Sequence, residues 1–296
     1  MVSGFRRPPL ACYIPSQMRT FAGRVAVITG AASGLGRALA GALGAQGARL
    51  VLADLDEAAL ARAAGELRAQ GVAVAAQPTD VSQGESVERL ARAALDAFGA
   101  VHVVCNNAGV APLGVVWEAT EADWRWALGV NLWGVIHGVR VFTPILLRQG
   151  DEGHIVNTAS VAGLIAPPGM GVYNVSKHAV VALSETLHHD LAARQAKVRC
   201  SVVCPAFFAS GIADSERSRP AGLASDRTKS DEDRALEAML HKATQSGRLS
   251  AEDIAAQVLD AIRDERFYVL THPKINGAIE RRLRDLLDGR EPSSPV

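Results

Sequence analysis

Seven short apolar runs, rich in β-branched residues, alternate with helix-patterned stretches from about residue 24 to about residue 271, with no linker-like break. Arg24–Thr29 (RVAVIT), Arg49–Ala53 (RLVLA), the run VAVAAQP ahead of Thr79, Val101–Cys105 (VHVVC), His154–Ala159, Val198–Cys204 and Phe267–Leu270 read as the strands. Strands apolar along their whole length are covered on both faces, which is the condition of a parallel sheet between helix layers. Right-handed crossovers then give a doubly wound α/β fold with a seven-stranded, mostly parallel sheet. The 296 residues suit one large domain, read as 22–290. Residues 1–21 lack a continuous apolar core and read as a flexible arm, not a signal peptide. A polar, charge-dense insertion at about 206–250 leaves the sheet at the end where ligands bind and reads as a lid, while 291–296 reads as a frayed tail.

The first strand runs into Thr29-Gly30-Ala31-Ala32-Ser33-Gly34-Leu35-Gly36 and then a helix. Glycines at such a turn let the backbone approach a pyrophosphate, and the helix amino end adds amides and a favourable dipole. Asp54 closes the second strand, where a carboxylate accepts hydrogen bonds from ribose hydroxyls and repels a 2′-phosphate. Ser33 and Leu55, the neighbours that could carry a compensating cation, are not basic, so NAD is expected over NADP. Arg37 dissents; it reads as a first-turn helix residue, with a place near phosphate the competing reading. Asp80 and Val81 are expected beside the adenine, with helix capping the competing reading for Asp80. Asn107, Ala108 and Gly109, at the end of the fourth strand, are expected to wall the cofactor or simply to form a turn.

A second cluster spans Ser160 to Lys177, SVAGLIAPPGMGVYNVSK. Tyr173 and Lys177, four residues apart at the head of a helical segment, point from one face. Ser160 ends the fifth strand, at the sheet edge where open α/β folds place ligands. A lysine cation beside a phenol is expected to favour the phenolate and lower its pKa from ~10, while the serine hydroxyl holds a substrate oxygen. Val161, Leu164, Met170, Phe207 and Phe208 are apolar candidates for the substrate wall, with core packing the plain alternative.

Together, TGAASGLG, Asp54, NNAG, Asn131, Ser160, YNVSK and Cys204-Pro205-Ala206 resemble the short-chain dehydrogenase/reductase family over about residues 22–271. The resemblance implies one Rossmann-type domain, packed through its long helices as a homodimer or homotetramer. It implies Tyr173 as general acid/base, Ser160 on the substrate oxygen, Lys177 on the nicotinamide ribose and Asn131 completing a water-linked proton relay. It places Pro205 and Ser210 against the cofactor, although Ala206 and Ser210 stand where the family commonly has Gly and Thr. The region ending in FYVLTHP looks like members that oxidise benzylic secondary alcohols, the Cα-dehydrogenases of lignin-derived aryl ethers.

Lys+Arg and Asp+Glu are equal at 31 each, which gives no reason to expect a nucleic-acid or anionic-membrane partner. Cys12, Cys105, Cys200 and Cys204 read as reduced thiols of a soluble cytoplasmic protein, with no zinc-spaced cluster and no metal expected. The chain therefore reads as an NAD-dependent oxidoreductase interconverting a hydrophobic or aromatic secondary alcohol and a ketone. An NADP-dependent carbonyl reductase is the alternative, and a non-catalytic dinucleotide sensor a further one, because fold alone does not imply chemistry.

Overall fold

The first strand, β1 (Val25–Thr29), is buried over all five residues, as a central strand covered on both faces must be. In this computed structural model, which describes residues 18–225 and 227–295, β1 pairs in parallel with β2 (Arg49–Asp54) on one side and β4 (Val103–Asn106) on the other. The sheet adds β3 (Val74–Pro78), β5 (Gly153–Thr158), β6 (Val198–Val203) and β7 (Tyr268–Val269) in the order β3-β2-β1-β4-β5-β6-β7, with every pair parallel. The chain leaves β1 towards β2 and returns past it to β4. That reversal of winding opens a crevice at the carboxyl ends of β1 and β4.

One layer of core joins α1 (Gly34–Ala45), α2 (Glu57–Ala69) and α8 (Ala251–Arg263) to the sheet through Leu39, Leu43, Leu60 and Ile254. Met18 and Phe21 belong to this layer, at 3% and 1% exposure. The flexible arm expected over 1–21 is therefore corrected for Met18 and Phe21, which the core holds; residues 1–17 lie outside those described. On the other face, α3 (Gly84–Phe98) and α6 (Gly171–Ala193) pack with a long helical run: α4 (Glu121–Leu128), a π-turn (Gly129–Trp133) and α5 (Gly134–Gln149). Cys105, Cys200 and Cys204 are buried and free, their thiols pushed up to about 12 by burial.

The insertion folds as 3-10 turns followed by α7 (Asp231–Gln245). Ser230 and Asp233 form a capping box at its start, and Ser250 and Asp253 repeat the device at α8. Arg219 ties the insertion to α4: it lies 4.1 Å over the Trp126 ring and 2.8 Å from Asp123. Arg227 makes a second tie, 2.8 Å from Asp233 and 2.9 Å from Glu118. After β7, α9 (Asn276–Leu287) leads to a tail without regular structure, in which the Ser293 amide donates to Asp285 at 2.9 Å.

Candidate active site

A cleft of about 920 Å³ lies across the carboxyl ends of the strands, with β1–β4 forming one half and β5–β6 the other. In the first half, Gly30 and Gly34 adopt φ of +64° and +50°, which a side chain would strain. A Cβ on Gly30 would meet the Ala108 Cα at 2.9 Å, so this glycine is what lets the NNAG loop lie against the turn. Gly36 does not line the cleft. A Cβ there would fall 2.1 Å from the Gly30 carbonyl oxygen, so it keeps α1 tight under the turn. Thr29 locks the same junction: its hydroxyl accepts from the amides of Asn107 and Ala108 at 2.9 and 3.1 Å.

Ser33, Gly34, Leu35, Asp54, Asp80, Val81, Asn107, Ala108 and Gly109 all line this half. Asp54 accepts from the Ala32 amide at 2.9 Å and the Asp56 amide at 3.1 Å, one bond to each oxygen, which aims its remaining lone pairs into the cleft. Asp80 also borders the cleft, but its Oδ1 accepts from both the amide and the hydroxyl of Ser82, so it stiffens its own turn. Arg37 points away: its guanidinium pairs with Glu66 on α2 at 2.7 Å.

In the second half, Ser160 is buried at the end of β5 and caps a 3-10 turn, its Oγ accepting from the Ala162 amide at 3.1 Å. That hydroxyl donates in turn to the Pro205 carbonyl at 3.3 Å, and it stands beside the Tyr173 phenol. Tyr173 and Lys177 share the first turns of α6 as the spacing requires, and the Lys177 ammonium donates to the Thr158 carbonyl at 2.9 Å. Burial pushes the Tyr173 phenol up to about 12; the neighbouring Ser160 hydroxyl opposes this and loses. Burial likewise drives Lys177 down to about 8.

The expectation that Lys177 lowers the phenol's pKa is thus corrected. The ammonium sits 5.6 Å over the Tyr173 ring centroid and is held by a strand carbonyl, and desolvation dominates both groups.

Asn131 is fully buried within the π-turn. Its amide pairs with both backbone groups of Val110, at 2.8 and 2.9 Å, and donates to Ser176 Oγ at 3.0 Å. A π-turn shifts helix register by one residue, and here it turns an asparagine inward beneath the site. Pro205 and Ser210 also line the cleft, and the Ala206 amide donates to His272 at 3.2 Å, which ties this loop to the segment after β7.

Of the substrate-wall candidates, Val161, Met170, Phe207 and Phe208 face the cleft. Leu164 does not. The 3-10 turn after Ser160 breaks the strand's alternation and packs Leu164 into the cluster of Val135, Ala159 and Val180. The wall instead gains Leu236, Met239, Leu240 and Ala243 of α7. Their i, i+3, i+4, i+7 spacing within a charged segment was a readable signal.

The family model described as short chain dehydrogenase matches residues 24–221. A short-chain dehydrogenase/reductase from Burkholderia phymatum, solved in complex with NAD, superposes with a TM-score of 0.93 at 52% identity, over 94% of this chain and 99% of that one. A CLA biosynthesis dehydrogenase/reductase of Lactiplantibacillus plantarum is 34% identical over 93% of this chain and 97% of its own. A C alpha-dehydrogenase of Sphingobium is 32% identical over 93% and 89%, so that likeness extends well beyond the C-terminal region.

Proposed function

Because the chain belongs to the short-chain dehydrogenase family, and is therefore a dehydrogenase/reductase acting on CH–OH groups, we propose that it interconverts a secondary alcohol and a ketone with NAD. The observation that carries this reading is that Ser160, Tyr173 and Lys177 line one cleft, with the glycine turn across it. NAD would supply or accept the hydride. The residues fit it: the glycine turn has room for a pyrophosphate, Asp54 lines the cleft where it would accept from the adenosine ribose, and Ser210 Oγ is buried without a partner beside that turn. Lys177 would hold the nicotinamide ribose, as its cleft-side position allows.

The rest of the chemistry belongs to this chain. Ser160 fixes the substrate oxygen, Tyr173 moves its proton, and the apolar wall of Val161, Met170, Phe207 and Leu240 excludes water and selects a hydrophobic substrate. Asn131, immobilised by Val110, sets the depth of the proton path beneath Tyr173 and Lys177. Incubation with NAD and a panel led by aryl secondary alcohols, followed at the NADH absorbance band, tests the reading; silence across alcohols of every class defeats it.

Cofactor choice rests on Asp54. Asp54→Ala is expected to weaken NAD binding by about tenfold, the effect of losing a charge-assisted hydrogen-bond pair, and to improve NADP relative to NAD. Titration of both cofactors into wild type and variant checks this, and tighter NADP than NAD binding by the wild type would reverse the assignment.

The family expectation of a homo-oligomer has a surface to use. Only a third of the most apolar stretch of Glu121–Gln149 is buried, and Trp133 and Val175 stand 52% and 48% exposed. Trp133→Glu is expected to shift the sedimenting species to half its mass or less. An unchanged species would move the interface elsewhere.

A further inference from the structure

Three arginines stand in the insertion ahead of α7, and among the described residues one of them has no acid to neutralise it. Arg219 is paired with Asp123 and Glu216, and Arg227 with Asp233 and Glu118. Arg217 makes no ion pair among the described residues; its Nη1 reaches only the Gly211 and Asp214 carbonyls, both at a long 3.3 Å. It is exposed, and it lines the cleft.

Its place in the cleft is the dinucleotide half. A Cβ built on Gly34 would lie 3.5 Å from the Ser210 Cβ, and one built on Gly211 would lie 3.1 Å from Arg217 Nη2. The guanidinium thus hangs one residue beyond Ser210, whose buried hydroxyl has no partner and sits against the glycine turn. That turn has no cation of its own, because Arg37 is taken by Glu66. The cleft's other cation, Lys177, lies in the Ser160–Tyr173 half, where it donates to the Thr158 carbonyl. Three carboxylates, Asp54, Asp56 and Asp80, line the same cleft and oppose an anionic ligand.

On the reading that this turn holds NAD, we propose that Arg217 pairs with the cofactor's pyrophosphate from the lid side, with Ser210 donating beside it. A guanidinium fork matches phosphate oxygens geometrically, and charge-assisted bonds of this kind are about twice as strong as neutral ones. The pairing fixes the lid's first turn on the cofactor. Ser215, in the same turn, already accepts from the Ala111 amide at 3.0 Å, and Ile212 faces the cleft, so cofactor binding assembles part of the substrate wall.

Calorimetric titration of the full chain with NAD, ADP-ribose and adenosine tests the pairing. Arg217→Gln is expected to weaken NAD and ADP-ribose by about tenfold or more and to leave adenosine unchanged, with Arg217→Lys recovering part of the loss. The salt dependence of NAD binding is expected to be shallower in Arg217→Gln than in wild type. Equal NAD affinity in wild type and Arg217→Gln overturns the pairing. If, in addition, KM rises for a hydroxy acid and not for its methyl ester, Arg217 serves a substrate carboxylate instead. A wild-type chain that binds no NAD removes the functional reading itself, and this inference with it.

Discussion

Replacing Tyr173 with phenylalanine is expected to lower kcat by about 10²–10⁴-fold, the range over which a positioned acid–base group contributes. The ring stays, and with it the Lys177 ammonium over its face, so NAD affinity is expected to hold. What goes is the hydroxyl beside Ser160, the group proposed to exchange a proton with the substrate oxygen. The raised phenol pKa gives this a direction. At neutral pH a group pushed up to about 12 keeps its proton, the form that delivers to a carbonyl oxygen. Ketone reduction is therefore expected to stay level with pH, and alcohol oxidation, which requires the phenolate, to climb through the alkaline range. Rate profiles in both directions check this, and the climb is expected to vanish in Tyr173→Phe. Retention of a tenth or more of wild-type turnover would remove Tyr173 from the proton's path.

The parts of this site that were legible in the sequence are those set by short-range geometry. A four-residue spacing on a helix places Tyr173 and Lys177 together wherever the helix goes, and a glycine turn between a strand and a helix carries its own φ requirements. Asp54 was legible because a strand's last residue faces the crevice in any sheet wound this way. The errors came from three-dimensional context. Leu164 follows a 3-10 turn that reverses the expected side. Asn131 was reached through the family resemblance, since no periodicity announces the π-turn that faces it inward. The pKa expectation failed for a related reason. Proximity of Lys177 to Tyr173 could be read from spacing, but the burial of both, and the Thr158 carbonyl that holds the ammonium over the ring, could not. Arg217 was invisible for the opposite reason: among the nearby arginines of the insertion, only the structure separates the two that are neutralised from the one that is not.

Lys177→Met is expected to make the protein inactive and more stable at once. The ammonium is buried, and among the described residues it makes no ion pair with a carboxylate; its recorded hydrogen bond goes to the neutral Thr158 carbonyl. Desolvation lowers its pKa from 10.5 to about 8, so folding at pH 7 works against a charge that water would solvate better. A shift of that size corresponds to about 3 kcal/mol, from which about 1 is subtracted for the donor the Thr158 carbonyl loses. A net gain of about 2 kcal/mol in the variant is the expectation. Its pH dependence follows from proton binding. Below about 8 the lysine is charged in both states and the folded protein carries the full penalty. Between about 8 and 10.5 the unfolded chain holds a proton the folded one has released, so wild-type stability rises with pH and the variant's advantage fades. Urea unfolding of the two proteins at pH 7 and again near pH 10 measures this. A variant less stable than wild type at pH 7, or an advantage that grows with pH, would mean that the ammonium is favourably solvated where it sits. The charge kept beside Tyr173 would then have no stability cost for function to justify.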